Sequence, residues 1–395
     1  MKVSHHLATL GLVALGALVM GCASHSTAAL PGPAAPLGNP VGATGTQAAH
    51  AQALASSDAD LREDSDSQSV LKHLGDLTTI GSTVDPVNGD VNPYGLDIAR
   101  SSAGLLQAGD LVVCNFNDAA NVQGTGTTII ALHPHPGASP IHIAQASVLT
   151  GCDALALADN DFIWNAAFAT DDNPIFSPSG VLETTLGNGP FHGPFGQAFA
   201  PASGPFGVAA FYESNAGTGS IVRIGIHANG TFGFEVIVTG FPVNHGVPGS
   251  ILGPSGLQYD AKHDRLYVVD GTNNALYAFC GISTIAAHGI TVHGTTFSGP
   301  FAGRAHLIFA GAPLNGPISS ALLPDGHLVL GNTLDPNGKN LMVEIAPSGH
   351  VLDIRNVDTG AAGAIFGMVA SGHDIDDLKL YFNDDNANAV EVLTH

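Results

Sequence analysis

Gly253-Pro-Ser-Gly-Leu-Gln-Tyr259 is followed by Asp264-Arg-Leu-Tyr-Val-Val-Asp270 and then by Asn273-Asn-Ala-Leu-Tyr-Ala-Phe279. Each run is short, apolar at alternate or successive positions, and bounded by Gly, Asn or Asp. That is how strands and the turns between them read in a sequence. The order is a Gly-marked strand, a turn, an apolar strand ending on a polar residue, a turn and a third strand. It recurs with drift at residues 92–98, 110–115 and 128–132, at 152–157 and 161–165, and at 193–199, 208–213 and 220–224. Two more copies occupy 316–322, 327–332 and 341–345, and 366–370, 379–383 and 389–393. The copies follow one another at roughly 40 to 60 residues, the size of a four-stranded propeller blade. No stretch sustains a helical period. The expected fold is all-β, a six-bladed β-propeller.

The last copy ends after its third strand, so blade six lacks an outer one. Residues 71–84, ahead of the first copy, contain Leu74-Gly-Asp-Leu-Thr-Thr-Ile80 and are placed to supply it, closing the ring and removing the open edges. Further upstream the pattern changes. Residues 1–21 have a short basic start (Lys2) and an apolar run from Leu7 to Gly21, too short to span a bilayer at about 20 residues and suited to a secretion signal. The run ends Val19-Met20-Gly21-Cys22, which resembles a lipobox and implies lipidation at Cys22. With Ala at position 23, the analogy further implies an extracytoplasmic protein anchored in the outer membrane. Residues 22–69 are rich in Ala, Gly, Pro, Ser and Thr with acids from Asp58 to Asp66, a composition that reads as a disordered linker. Residues 70–395 are the propeller.

Eleven basic against 33 acidic residues, a net charge of −22, argue against a phosphate-backbone partner. Charged residues are only 11% of the chain, and this reduced charge also suits an acidic habitat.

The repeated Asn-Pro-x-Gly-Leu, Leu-x-Val-x-Asp and Asn-x-x-Val elements resemble NHL-type repeats, whose six-bladed plan is shared by SMP-30-like lactonases and paraoxonase-like enzymes. Residues 81–95, with Cys114-Asn-Phe-Asn117 and Gly124-Thr-Gly-Thr-Thr128, resemble a group of secreted bacterial NHL-like proteins. The resemblance covers about residues 78–395 and speaks to fold; such a fold hosts many functions. The lactonase likeness implies a catalytic metal held by Glu, Asn and Asp from separate blades.

The second strands end on Asn115, Asn165, Glu213, Asp270, Asn332 and Asn383. If these form an axial ring, their oxygens suit a hard cation such as Ca²⁺, which would polarise a carbonyl or activate water in a lactonase-like or esterase-like hydrolase or a lyase. The competing reading is that each holds a turn, as Asx residues do, or points away from the axis after a one-residue slip. In that case the protein is a binding or scaffold module for a protein, glycan or small ligand. Cys114 and Cys152 fall at one rim of adjacent blades, where a disulfide is possible; Cys280 reads as a buried thiol. His133, His135 and His142 lie near one another in sequence, and His192 and His245 precede loops into blades, but no metal-binding spacing occurs. Nucleophile-elbow, His-Glu-x-x-His and phosphate-loop motifs are absent from the sequence.

Overall fold

The computed structural model describes residues 68–202 and 208–395. The signal segment, Cys22 and the linker through residue 67 lie outside the described residues. Strand β1 (Asp76–Ser82) precedes blade one, formed by β2 (Val91–Ile98), β3 (Leu111–Asn117), β4 (Thr128–Leu132) and β5 (Ile141–Gln145). Blade two contains β6 (Cys152–Leu157), β7 (Ile163–Ala167), β8 (Asn173–Phe176) and β9 (Leu182–Leu186). Blade three is β10 (Pro194–Ala200), β11 (Ala210–Asn215), β12 (Ser220–Ile226) and β13 (Phe232–Thr239). Blade four begins with β14 (Pro254–Asp260), β15 (Arg265–Asp270) and β16 (Ala275–Cys280). The chain then leaves blade four to form the hairpin β17 (Ile290–His293) and β18 (Thr296–Ser298), and returns as its outer strand β19 (Ala305–Ala310). Blade five holds β20 (Ser319–Leu322), β21 (Leu328–Gly331), β22 (Asn340–Ile345) and β23 (Val351–Asp358); blade six holds β24 (Ile365–Ser371), β25 (Lys379–Asp384) and β26 (Ala389–Thr394).

The innermost strands pack side by side in the cycle β2, β6, β10, β14, β20, β24 and back to β2. Small residues permit that approach. A Cβ on Gly196 would fall 2.1 Å from the carbonyl oxygen of Ser255 in the next blade, and one on Gly367 would fall 2.4 Å from that of Tyr94. The glycine repeated in the first strands is therefore a spacing requirement around the axis. The expected closure is present: β1 pairs antiparallel with β26, from Asp76 opposite Thr394 to Ser82 opposite Ala389. Ile80 sits buried among Tyr381, Val390 and Val392. Deleting residues 68–82 should expose β26 as an unpaired edge and shift the protein to oligomers or aggregates on size exclusion; a stable monomer would show that the closure is dispensable.

The hairpin β17–β18 was not foreseen. It lies parallel to β13, with Val238 opposite Ile290, and extends blade three to six strands. Second strands end, and first strands begin, on what we call the upper face; turns between first and second strands lie on the lower face. The described chain enters on the lower face, because β1 begins beside the end of β26.

Candidate functional site

The six expected ring residues occupy three different registers. Asn115 and Asp270 stand opposite Pro93 and Pro254 at the heads of their inner strands, and Asn332 follows β21 at the same level. Asn383 falls one residue earlier in its strand. Asn165 and Glu213 fall two earlier, opposite Leu155 and Gln197. A β-bulge in every inner strand except that of blade five shifts the pairing between these levels, so side chains that look aligned in sequence face different ways.

Each register has its own task. At the first level the side chains hold upper-face loops: Asn115 donates to the Thr83 carbonyl (3.0 Å), Asn332 donates to that of Pro313 (2.8 Å), and Asp270 accepts from the N–H groups of Thr272 and Asn273. Burial, opposed by those N–H groups, pushes the Asp270 carboxyl up to about 6. At the next level side chains bond across to the following blade. Asn383 donates to the carbonyls of Tyr94 and Gly95, Ser214 Oγ to that of Ser255 (2.7 Å), and Cys114 Sγ to that of Cys152 (3.1 Å). Cys114 and Cys152 are thiols rather than the expected disulfide. Cys114 Sγ is aimed at the neighbouring backbone, and Cys152 Sγ at Asn165 Oδ1 (3.6 Å). Glu213 is fully buried, with one oxygen accepting from Gln197 Nε2 (3.2 Å), whose amide also bonds Asn173. Desolvation lifts its pKa to about 8 against the opposing bonds of Gln197 and Asn173.

None of the six lines the axial cavity. That space, about 90 Å³, is walled by three consecutive residues from each inner strand, among them Tyr94, Asp153, Gln197, Gln258, Ser319 and Phe366. It accommodates a few waters, not the 300 Å³ or more of a drug-sized ligand (roughly). Above it, Tyr94 stacks between Phe116 and Phe366 with centroids 4.2 and 3.8 Å away. These rings join Phe195, Ile251 and Ile318 in an apolar plug. Two loops from opposite sides of the ring then meet over it: a Cβ on Gly124 would lie 3.0 Å from Pro248, and one on Gly249 would lie 2.7 Å from Gln123. The axis is strapped shut on its upper side.

The histidines do not converge either. His133 pairs with Asp110 (2.6 Å), His142 with Asp85 (2.6 Å) and His192 with Asp171 (3.0 Å), while His135 bonds the Pro136 carbonyl and His245 lies in the strap with φ of 53°. Among the described residues one trio brings three such ligand atoms within 4.8 Å: Asp325, His327 and Glu344. No sequence signal marked it, because Asp325 and His327 come from the turn between β20 and β21 and Glu344 from β22. Its partners show it to be a latch. Glu344 accepts from His327 Nδ1 (2.8 Å), Ser69 Oγ (2.6 Å) and the N–H groups of Val70 (3.0 Å) and Leu71 (2.9 Å). Burial pushes this carboxyl up, but those four bonds outweigh it and hold the group below its ordinary value. Arg355 adds bonds to the Leu74 and Gly75 carbonyls.

A concavity much roomier than the axial one lies on the upper face between blades four and five. About 670 Å³ is lined by Asn274, Pro313, Asn315, Asp335, Asn337 and Lys339 with neighbouring apolar residues. Asp335 also borders a second recess of about 290 Å³ toward Ser250 and Gly363. Asn337 and Lys339 are exposed, whereas Asp335 is buried and braced by Asn315 Nδ2 (2.6 Å) and Asn337 N–H (2.7 Å). The groove is rich in amides and balanced in charge.

No protein-family model matches the chain, and no curated protein sequence matches it. Among solved structures the chain is similar to a catalytically inactive virginiamycin B lyase from Staphylococcus aureus with quinupristin, at 16% identity over 81% of this chain and 85% of that one, with a TM-score of 0.48. It is also similar to a chain of a nidogen/laminin complex, at 14% identity over 73% and 87%, with a TM-score of 0.49. A streptogramin B lyase follows at 13% identity over 80% and 96%, with a TM-score of 0.47. The six-bladed plan rests on this chain's own strand order, and these distant likenesses carry no argument about its chemistry.

Proposed function

We propose that the protein is a binding module of the cell envelope, tethered through Cys22 and gripping a neutral, hydroxyl-rich ligand such as a glycan in the upper groove between blades four and five. The observation that carries this reading is the contrast in room: about 670 Å³ of open, amide-lined groove against about 90 Å³ at the plugged axis. Amide side chains both donate and accept, which suits hydroxyl pairs, and one Asp with one Lys leaves the groove without a net charge to attract ions. The segment at Ser69 docks on the lower face beside Glu344, the face opposite the groove. The metal-dependent hydrolase reading loses support, because none of the six polar strand ends lines the axial cavity and each is engaged by a loop, a blade seam or its own blade.

The test is an array of neutral and charged oligosaccharides probed with the chain lacking its signal segment, followed by titration of the best binder. Binding of a neutral glycan, weakened tenfold or more by Asn337→Ala with Lys339→Ala (about 1.4 kcal/mol), is the expected result. Binding indifferent to those substitutions, or none at all, would remove this assignment.

A further inference from the structure

Asp153 has no counterpart in the other blades. Inner-strand register sets it level with Tyr94, Phe195, Ser255, Ile318 and Phe366, positions that are apolar or hydroxylic. Its side chain lines the axial cavity, is only 4% exposed, and receives no hydrogen bond on either oxygen. A bare carboxylate in such surroundings costs several kcal/mol, so something must compensate it.

A proton is the simplest compensation, and burial raises the Asp153 carboxyl well above its ordinary range. Gln197 Oε1 and Ser319 Oγ, on the same wall, also lack partners. Ser319 Oγ brings a proton of its own and a carboxyl proton adds a second donor among these oxygens, whereas an ion engages all of them at once. A cation satisfies several oxygens together. All these donors are hard oxygen atoms, the set chosen by alkali and alkaline-earth ions rather than by soft metals.

Charge then selects between those two groups. Asp153 is the only carboxylate on the wall, and no Lys, Arg or His lines it. Tyr94 is the other ionisable lining group; burial and the charge of Asp153 raise its phenol well above the ordinary value, so it stays neutral. Behind the wall, Glu213 is held largely protonated at neutral pH by burial. Asp385, which also acts on Tyr94, does not line the cavity. One negative charge is matched by one positive charge, whereas a divalent ion would leave a net charge buried. About 90 Å³ admits such an ion with a few of its waters.

We propose that the axial cavity binds a monovalent alkali cation on the Asp153 carboxylate, with Gln197 Oε1 and Ser319 Oγ as neutral partners. The ion ties the inner strands of blades two, three and five together at the axis. This site is independent of the groove between blades four and five.

The experiment is thermal unfolding of the chain lacking its signal segment, at neutral pH and equal ionic strength, in sodium, potassium and N-methylglucamine chlorides, with calcium chloride as a further arm. Sodium or potassium should raise the midpoint by about 3 °C or more over N-methylglucamine. Asp153→Asn should abolish the difference while melting at or above the wild type in N-methylglucamine, since it removes the buried charge. Equal midpoints in all three chlorides would overturn the proposal and leave the protonated carboxyl; a gain with calcium alone would overturn the monovalent assignment. An alkali response retained by Asp153→Asn would place the ion elsewhere and also overturn it. If that variant fails to fold, the wild-type comparison still decides.

Discussion

Glu344→Ala is expected to destabilise the protein by about 3–5 kcal/mol, in the range for removing one side of a buried, fully bonded charge. The carboxylate binds the chain just before the closing strand through Ser69 Oγ and the N–H groups of Val70 and Leu71, and it also satisfies His327. Its loss strands two buried N–H donors and leaves Asp325 (3.1 Å) as the carboxylate facing the His327 imidazole. The effect should spread beyond those bonds, because Val70, Leu71 and Leu74 are inserted between blades five and six beside Leu323, Met342 and Phe382. Urea unfolding should show the lost stability, and limited proteolysis should cut near residues 69–75 before the blades are attacked. Ser69→Ala, which removes one bond, should cost about 1 kcal/mol. A loss under about 1 kcal/mol for Glu344→Ala would mean that the latch does not hold the closing strand.

The second large effect is a dependence on pH. Glu213 has a folded-state pKa of about 8 against an ordinary 4.5, with burial as the cause. A raised folded pKa means that the folded protein keeps a proton the unfolded chain releases. Its contribution is therefore complete below about pH 4.5 and is lost as pH rises toward 8, by an amount on the order of 4 kcal/mol. Asp264, Asp270 and Asp385, each raised to about 6 by burial, tilt stability the same way over the lower part of that range. Glu213→Gln, which keeps the shape and removes the titration, should flatten the curve between pH 5 and 8 and be more stable than the wild type at pH 8. Denaturant midpoints across that range measure it. A wild type that gains stability from pH 5 to 8 would contradict the assignment. The expected direction agrees with the low proportion of charged residues, which already suggested an acidic habitat.

The blades were legible because strand alternation and Gly or Asn punctuation are local signals, and the six copies carry both. Closure by residues 76–82 was legible for a different reason: blade six ran out of strands. The polar ring was not, since bulges in their inner strands separate Asn115, Asn383 and Glu213 into registers that a gapless comparison merges. Cys114 and Cys152 do meet at a blade seam, yet through a thiol and a carbonyl, an orientation that sequence does not encode. The hairpin β17–β18, the Glu344 latch and Asp153 depend on contacts between distant segments. Asp153 was hidden further by looking like an ordinary polar residue at the start of a strand.

We propose that the upper groove, not the axis, is where this propeller meets its ligand. Hydrogen exchange of the protein with and without the best-binding oligosaccharide tests it most directly. Slowed exchange is expected at residues 311–316 and 332–341, with the inner strands 152–157 and 194–200 unchanged. Protection centred on those inner strands, with the groove loops unaffected, would contradict it.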